Sequence, residues 1–79
     1  WINNRSNNMR RAILEALRAR YEAQIAEADA TANIFLENSV GIGEHPQHID
    51  EVDMQIKKIA SAKEKLNILE EFEPEKKVL

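Results

Sequence analysis

The residues that interrupt helices are few in this chain and gathered in one place. Gly41, Gly43 and Pro46 cluster between two long stretches free of Gly and Pro, and the remaining proline, Pro74, lies near the C-terminus. Sandwiches and barrels need turn residues at short, regular intervals, and this distribution cannot supply them. It limits the chain to two long uninterrupted elements and one connection.

Both stretches carry a helical period. From Met9 the apolar positions Ile13, Leu14, Leu17, Tyr21, Ile25, Ala28, Ala32, Phe35 and Leu36 advance mostly by three and four, which traces one helix face. Alanines along this stretch raise helix propensity and thin the surface, so the closest approach of another helix is expected around Ala26 to Ala32. In the second stretch Ile49, Val52, Ile56, Ile59, Lys63 and Leu66, continued by Leu69 and Phe72, resemble the a and d positions of a heptad, with Lys63 at a place where an apolar residue is usual. Its stem can snorkel or the charge can set register.

The expected fold is therefore all-α, an antiparallel two-helix hairpin that assembles further into a helical bundle or coiled coil. Residues 1–8 read as a flexible Asn-rich extension offering Ser6, Asn7 and Asn8 as caps. Helix one is expected over about 9–38, the loop over 39–45, helix two over 46–73, and a tail over 74–79. Gly41 and Gly43 are the candidates for positive φ, Val40 and Ile42 for covering the bundle end, and Pro46 for the first turn of helix two. Asp50, Glu51 and Asp53 then sit near the positive end of that helix. All five arginines fall between positions 5 and 20, and Glu70, Glu71, Glu73 and Glu75 cluster near the other terminus. Antiparallel pairing brings the two groups together, an effect that selects orientation more than it stabilises.

A 79-residue chain buries too small a fraction of its surface for a strong core of its own. It has no cysteine, so disulfides and thiolate metal sites are excluded and self-association is the expected supplement. A second apolar set off the main seam, Ile13, Met54 and Ile68, is what a four-helix dimer needs. With Leu17, Tyr21, Ile56, Ile59 and Phe72 these are the candidate interface residues. A net charge of −3 argues against a protein built to grip a nucleic-acid backbone. Arg5, Arg10, Arg11, Arg18 and Arg20, interleaved with Glu15 and Glu22, read as an intramolecular ion-pair face before they read as a phosphate site. No apolar run long enough for a membrane span or a signal-peptide core is present, so an intracellular location is expected.

Glu44-His45-Pro46-Gln47-His48, followed by Asp50 and Glu51, is the one local cluster of metal-ligand types. Two imidazoles with no third fit a cap at His45 and a solvated first-turn residue at His48 better than a divalent-ion site. Ser39 and Ser61 lack any acyl-transfer signature, and Val40-Gly41-Ile42-Gly43 lacks the Lys-Ser or Lys-Thr of a phosphate loop. No cofactor and no catalysis are expected.

The stretch Asn38-Ser-Val-Gly-Ile-Gly-Glu-His-Pro-Gln-His48, between an Ala-rich helix and Ile49-Asp-Glu-Val-Asp with Lys63-Glu-Lys-Leu66, resembles small helical proteins of T4-like tailed phages, marine ones especially, over about Met9 to Phe72. The resemblance implies a viral setting, in the host cytoplasm or the virion, and no catalytic residue. The expected function is a non-enzymatic structural or adaptor protein that self-associates or docks on a protein partner through amphipathic helix faces. The alternatives are a small regulator of a host or viral enzyme and, behind it, a nucleic-acid binder using the arginine-rich N-terminal third.

Overall fold

The computed structural model describes the backbone of residues 2–38 and 45–73, with side chains described for 8–37 and 47–73. Helix α1 runs Ile2–Asn38, helix α2 runs His45–Leu69, and a 3₁₀ turn, Glu70–Phe72, extends α2. The two pack along each other as a hairpin with overall dimensions of 62 × 23 × 16 Å. The fold is an all-α helical hairpin.

The first helix begins earlier than the sequence pattern indicates, at Ile2 in place of Met9. Asn is only a modest helix former, at a cost of about 0.5 kcal/mol per residue. Extending an existing helix is nonetheless far easier than nucleating one. The Ala-rich stretch beyond Met9 supplies the nucleus, and the expected extension joins it. Helix α2 ends where Pro74 requires: the residue before a proline is pushed out of the α region, and Glu73 has φ −117° and ψ 81°. Its N–H still donates to the Glu70 carbonyl at 3.1 Å and closes the 3₁₀ turn. Pro46 follows the first residue of α2, which suits its missing N–H. Gly41, Gly43, Val40, Ile42 and the rest of the expected turn lie outside the described residues.

The seam of α2 is rotated from the one read in the sequence. His48, Val52, Gln55, Ile59, Ala62, Leu66, Leu69 and Glu73 are its buried or half-buried side chains, while Ile49, Ile56, Lys63 and Phe72 are exposed. Both rotations share Val52, Ile59, Leu66 and Leu69; they differ in the accompanying row. The expected row carries Ile49 and Ile56 into Lys63, a charge whose burial is costly. The observed row runs through His48, Gln55 and Ala62. Excluding Lys63 from the seam leaves two isoleucines outside.

On α1 the facing residues are Leu14, Leu17, Arg18, Tyr21, Ile25, Ala28, Thr31, Ala32 and Phe35. Leu36, adjacent to Phe35, points outward. The deepest side chains are small: Ala28, Ala32, Ala62 and, as the one large member, Leu69. Small residues let helix backbones approach closely, so the close-contact zone expected near Ala26 to Ala32 is occupied by Ala28 and Ala32. The alanines at 12, 16, 19, 23, 26 and 30 face away from the seam. Among the described residues Gln55 and, at its end, Glu73 are the buried polar residues within it.

Candidate interaction surfaces

The open end of the hairpin is closed by charge. The Arg18 guanidinium donates to the Glu73 carboxylate, with both side chains largely covered, and this bond raises the Arg18 pKa above its ordinary value. Arg10 donates to the Phe72 carbonyl at 2.6 Å, satisfying an oxygen at the end of the 3₁₀ turn. The Lys65 ammonium lies 5.6 Å from the Tyr21 ring centre, a cation–π contact across the seam. The antiparallel meeting of arginines and C-terminal acids expected from the sequence is thus present between Arg18 and Glu73. Two of the arginines that a phosphate-binding face would need are engaged within the chain.

His48 is not a solvated residue. It is half-buried on the seam side of α2, its ring 5.7 Å from that of Phe35 at 54°, a tilted aromatic contact. The burial follows from the rotated seam, which places position 48 in the same row as Gln55, Ala62 and Leu69. The side chain of His45 lies outside the described residues. No group of three metal-ligating side chains converges among the described residues. Ser61 is exposed on α2, and Ser39 lies outside the described residues.

Of the candidate interface residues, Leu17, Tyr21 and Ile59 are half-buried within the hairpin and so are committed to it. Ile13, Met54, Ile56, Ile68 and Phe72 remain exposed, with Met9, Ile34, Leu36 and Ile49 in the same state. The exposed set is the converse of the core: Ile49 is 68% accessible while Ala62 is 1% accessible. Sequence periodicity missed Ile34, Leu36 and Ile49 as surface residues, because apolar character alone does not say which of two overlapping rows turns inward.

A furrow follows each side of the seam. One, of about 450 Å³, is lined by Phe35, Leu36, His48, Ile49, Val52 and Ile56 and is apolar at the loop end. The other, of about 1010 Å³, has Gln24, Glu27, Thr31, Met54, Ser61 and Lys65 among its lining residues and is polar along its middle. Lysine and arginine are absent between Arg20 and Lys57. The loop-proximal segments 21–37 and 47–56 therefore hold Glu27, Asp29, Glu37, Asp50, Glu51 and Asp53 and no Lys or Arg, Lys57 and Lys58 line a furrow with Glu27 and Ala28 at mid-length, and Arg10, Arg11, Arg18, Arg20, Lys63 and Lys65 lie toward the open end. No described helix is long and apolar enough to cross a membrane. Comparison with protein-family models, curated proteins and solved structures gives no match.

Proposed function

We propose that this chain is a non-enzymatic assembly protein whose hairpin self-associates through its exposed helix faces, as a structural or adaptor component. The observation that carries the reading is the inversion of its apolar residues. Alanines and Gln55 occupy the centre of the seam, and among the described residues nine large apolar side chains stand outside it. Burying a half-exposed aliphatic or aromatic side chain contributes on the order of 1 kcal/mol, so covering this set supplies what the thin seam lacks. Scattered exposed aliphatics are ordinary; several at helical spacing on both helices of one small hairpin are a surface for another helix. The likeness of the Asn38 to His48 stretch to small T4-like phage proteins supports placing this role in the virion or its assembly.

Sedimentation velocity from about 1 to 100 µM, paired with melting curves at the same concentrations, tests the reading. Association and a midpoint that climbs with concentration are expected, because binding to the folded state alone raises stability by mass action. A monomer with a concentration-independent midpoint would overturn it. A second reading rests on the apolar furrow of Leu36, Ile49 and Ile56, whose lining suits the apolar face of an amphipathic helix of another protein. This would make the chain a small regulatory binder.

A further inference from the structure

Resting on the regulatory-binder reading, we infer that the furrow of Leu36, Ile49 and Ile56 takes a basic amphipathic helix of another protein. Its aliphatic side chains seat in the furrow, and Lys or Arg on its flanks lie beside them.

Two rows of seven-residue spacing, which nearly repeats one helix face, frame the site. On α1 the row is Leu36, Asp29 and Glu22; on α2 it is Ile49, Ile56 and Lys63. Leu36, Ile49 and Ile56 line one cavity with Phe35, Val52 and Asp53, which puts both rows on the same side of the seam. Leu36 is 59% accessible, Ile49 68% and Ile56 56%. The apolar lip therefore stands in solvent, over the half-buried Phe35, His48 and Val52. Ile49 and Ile56 are two turns apart, about 10 Å at 1.5 Å per residue. That length admits two turns of a partner helix, anchored by aliphatic residues at i, i+3 or i+4, and i+7.

Charge decides what flanks those anchors. From position 21 to 56 every formal charge is negative, His45 and His48 aside. On the furrow's own side the carboxylates are Asp53 in the wall and Asp29, which accepts from the neutral Asn33 at 3.5 Å. Lys63 follows two turns past Ile56, and Glu22 holds the corresponding place in the row of α1. Lys57 and Lys58 line the other furrow, with Glu27 and Asp50. An anionic partner, whether an acidic helix, a nucleic acid or an anionic lipid surface, meets this end of the molecule with like charge. A cationic helix is steered to it and then held by the apolar contact. A second copy fits less well. Its Arg18 is held by Glu73 and its Arg10 by the Phe72 carbonyl, and Glu64, Glu70 and Glu71 stand among its other exposed cations. Met54 lines the other furrow, so the two sides can be tested separately.

Two dye-labelled peptides of about 15 residues, with the same leucine face and either lysine or glutamate flanks, are titrated with the full chain at about 50 mM salt. The lysine peptide is expected to bind with a Kd at least about tenfold below that of the glutamate peptide, and to loosen several-fold at about 0.5 M salt. Ile49→Ser combined with Ile56→Ser is expected to weaken it by about tenfold or more. Asp29→Asn combined with Asp53→Asn should weaken it by about threefold, and Met54→Ser by less than about twofold. Helical circular dichroism confirms that each variant remains folded. Equal binding of the two peptides would overturn the choice of a basic helix and leave the regulatory-binder reading standing. Lysine-peptide binding that survives loss of Ile49 and Ile56 would overturn the furrow as its seat. No binding of either peptide at about 100 µM would overturn both. Self-association abolished by the same two isoleucine substitutions would give the furrow to a second copy and likewise overturn the inference.

Discussion

Exchanging Ala62 for Leu and, separately, Lys63 for Leu asks which row of α2 forms the seam. Ala62 is 1% accessible and lies where helix backbones come close, so the added carbons of Ala62→Leu have no space without moving α1. Overpacking of that kind costs about 1 to 3 kcal/mol. For a domain of this size each kcal/mol moves the melting midpoint by about 4 to 8 °C, so a fall of about 5 to 20 °C is expected. Lys63 is exposed, and its replacement by Leu should shift hairpin stability by no more than about 0.5 kcal/mol. Had the row of Ile49 and Ile56 turned inward, the signs would reverse: Lys63→Leu would remove a buried charge and stabilise strongly, and Ala62→Leu would be a harmless surface change. Circular dichroism melts at one low, matched concentration separate the cases, with dilution controlling for association. A midpoint raised by Lys63→Leu by more than about 10 °C, with Ala62→Leu silent, would refute the seam described above.

Arg18→Gln removes the charged closure with Glu73 and is expected to fray the 3₁₀ turn, read as faster amide exchange over 69–73 with little change near Ala28. Gln55→Leu should raise the midpoint by an amount on the order of 1 kcal/mol while relaxing the register, because a polar seam residue specifies alignment at a cost in stability; a lower midpoint would show that the amide is essential where it lies. Melts with and without a chelator should superimpose, and a midpoint lowered by chelation in the parent but not in the His45→Gln, His48→Gln pair would establish the metal site that the sequence raised. Titration with duplex DNA at about 50 mM salt should show no salt-sensitive binding; binding lost on Arg11→Glu would revive the phosphate reading.

The two-helix architecture was legible because the breakers are so few and the period so regular. The rotation of α2 was not. Val52, Ile59, Leu66 and Leu69 belong to both candidate seams, and the choice between Ile49 with Ile56 and Gln55 with Ala62 looks one-sided if apolar character is the guide. It is decided further along, where the row of Ile49 and Ile56 runs into Lys63 and the other stays uncharged through Ala62. Cooperative helix packing makes the whole row stand or fall together, so residues at one end set the fate of isoleucines at the other. The start of α1 at Ile2 is hidden in the sequence for a related reason: the local propensity of Asn-rich sequence argues against helix, whereas its conformation follows from the alanine-rich helix it continues. Of the candidate interface, Ile13, Met54 and Ile68 were legible as residues off the seam, while Ile34 was hidden beside Phe35.

A seam made largely of alanine has a thermal consequence. The heat capacity released on unfolding grows with the apolar area exposed, about 12 to 15 cal/mol/K per residue for ordinary domains. A lone hairpin that hides Ala28, Ala32 and Ala62 where others hide leucines should fall below that range. Its stability curve would then be shallow, varying little between the cold room and body temperature. Any steep curvature measured for this protein would have to come from surface covered between molecules, which makes calorimetry on a dilution series a gauge of assembly as well as of folding.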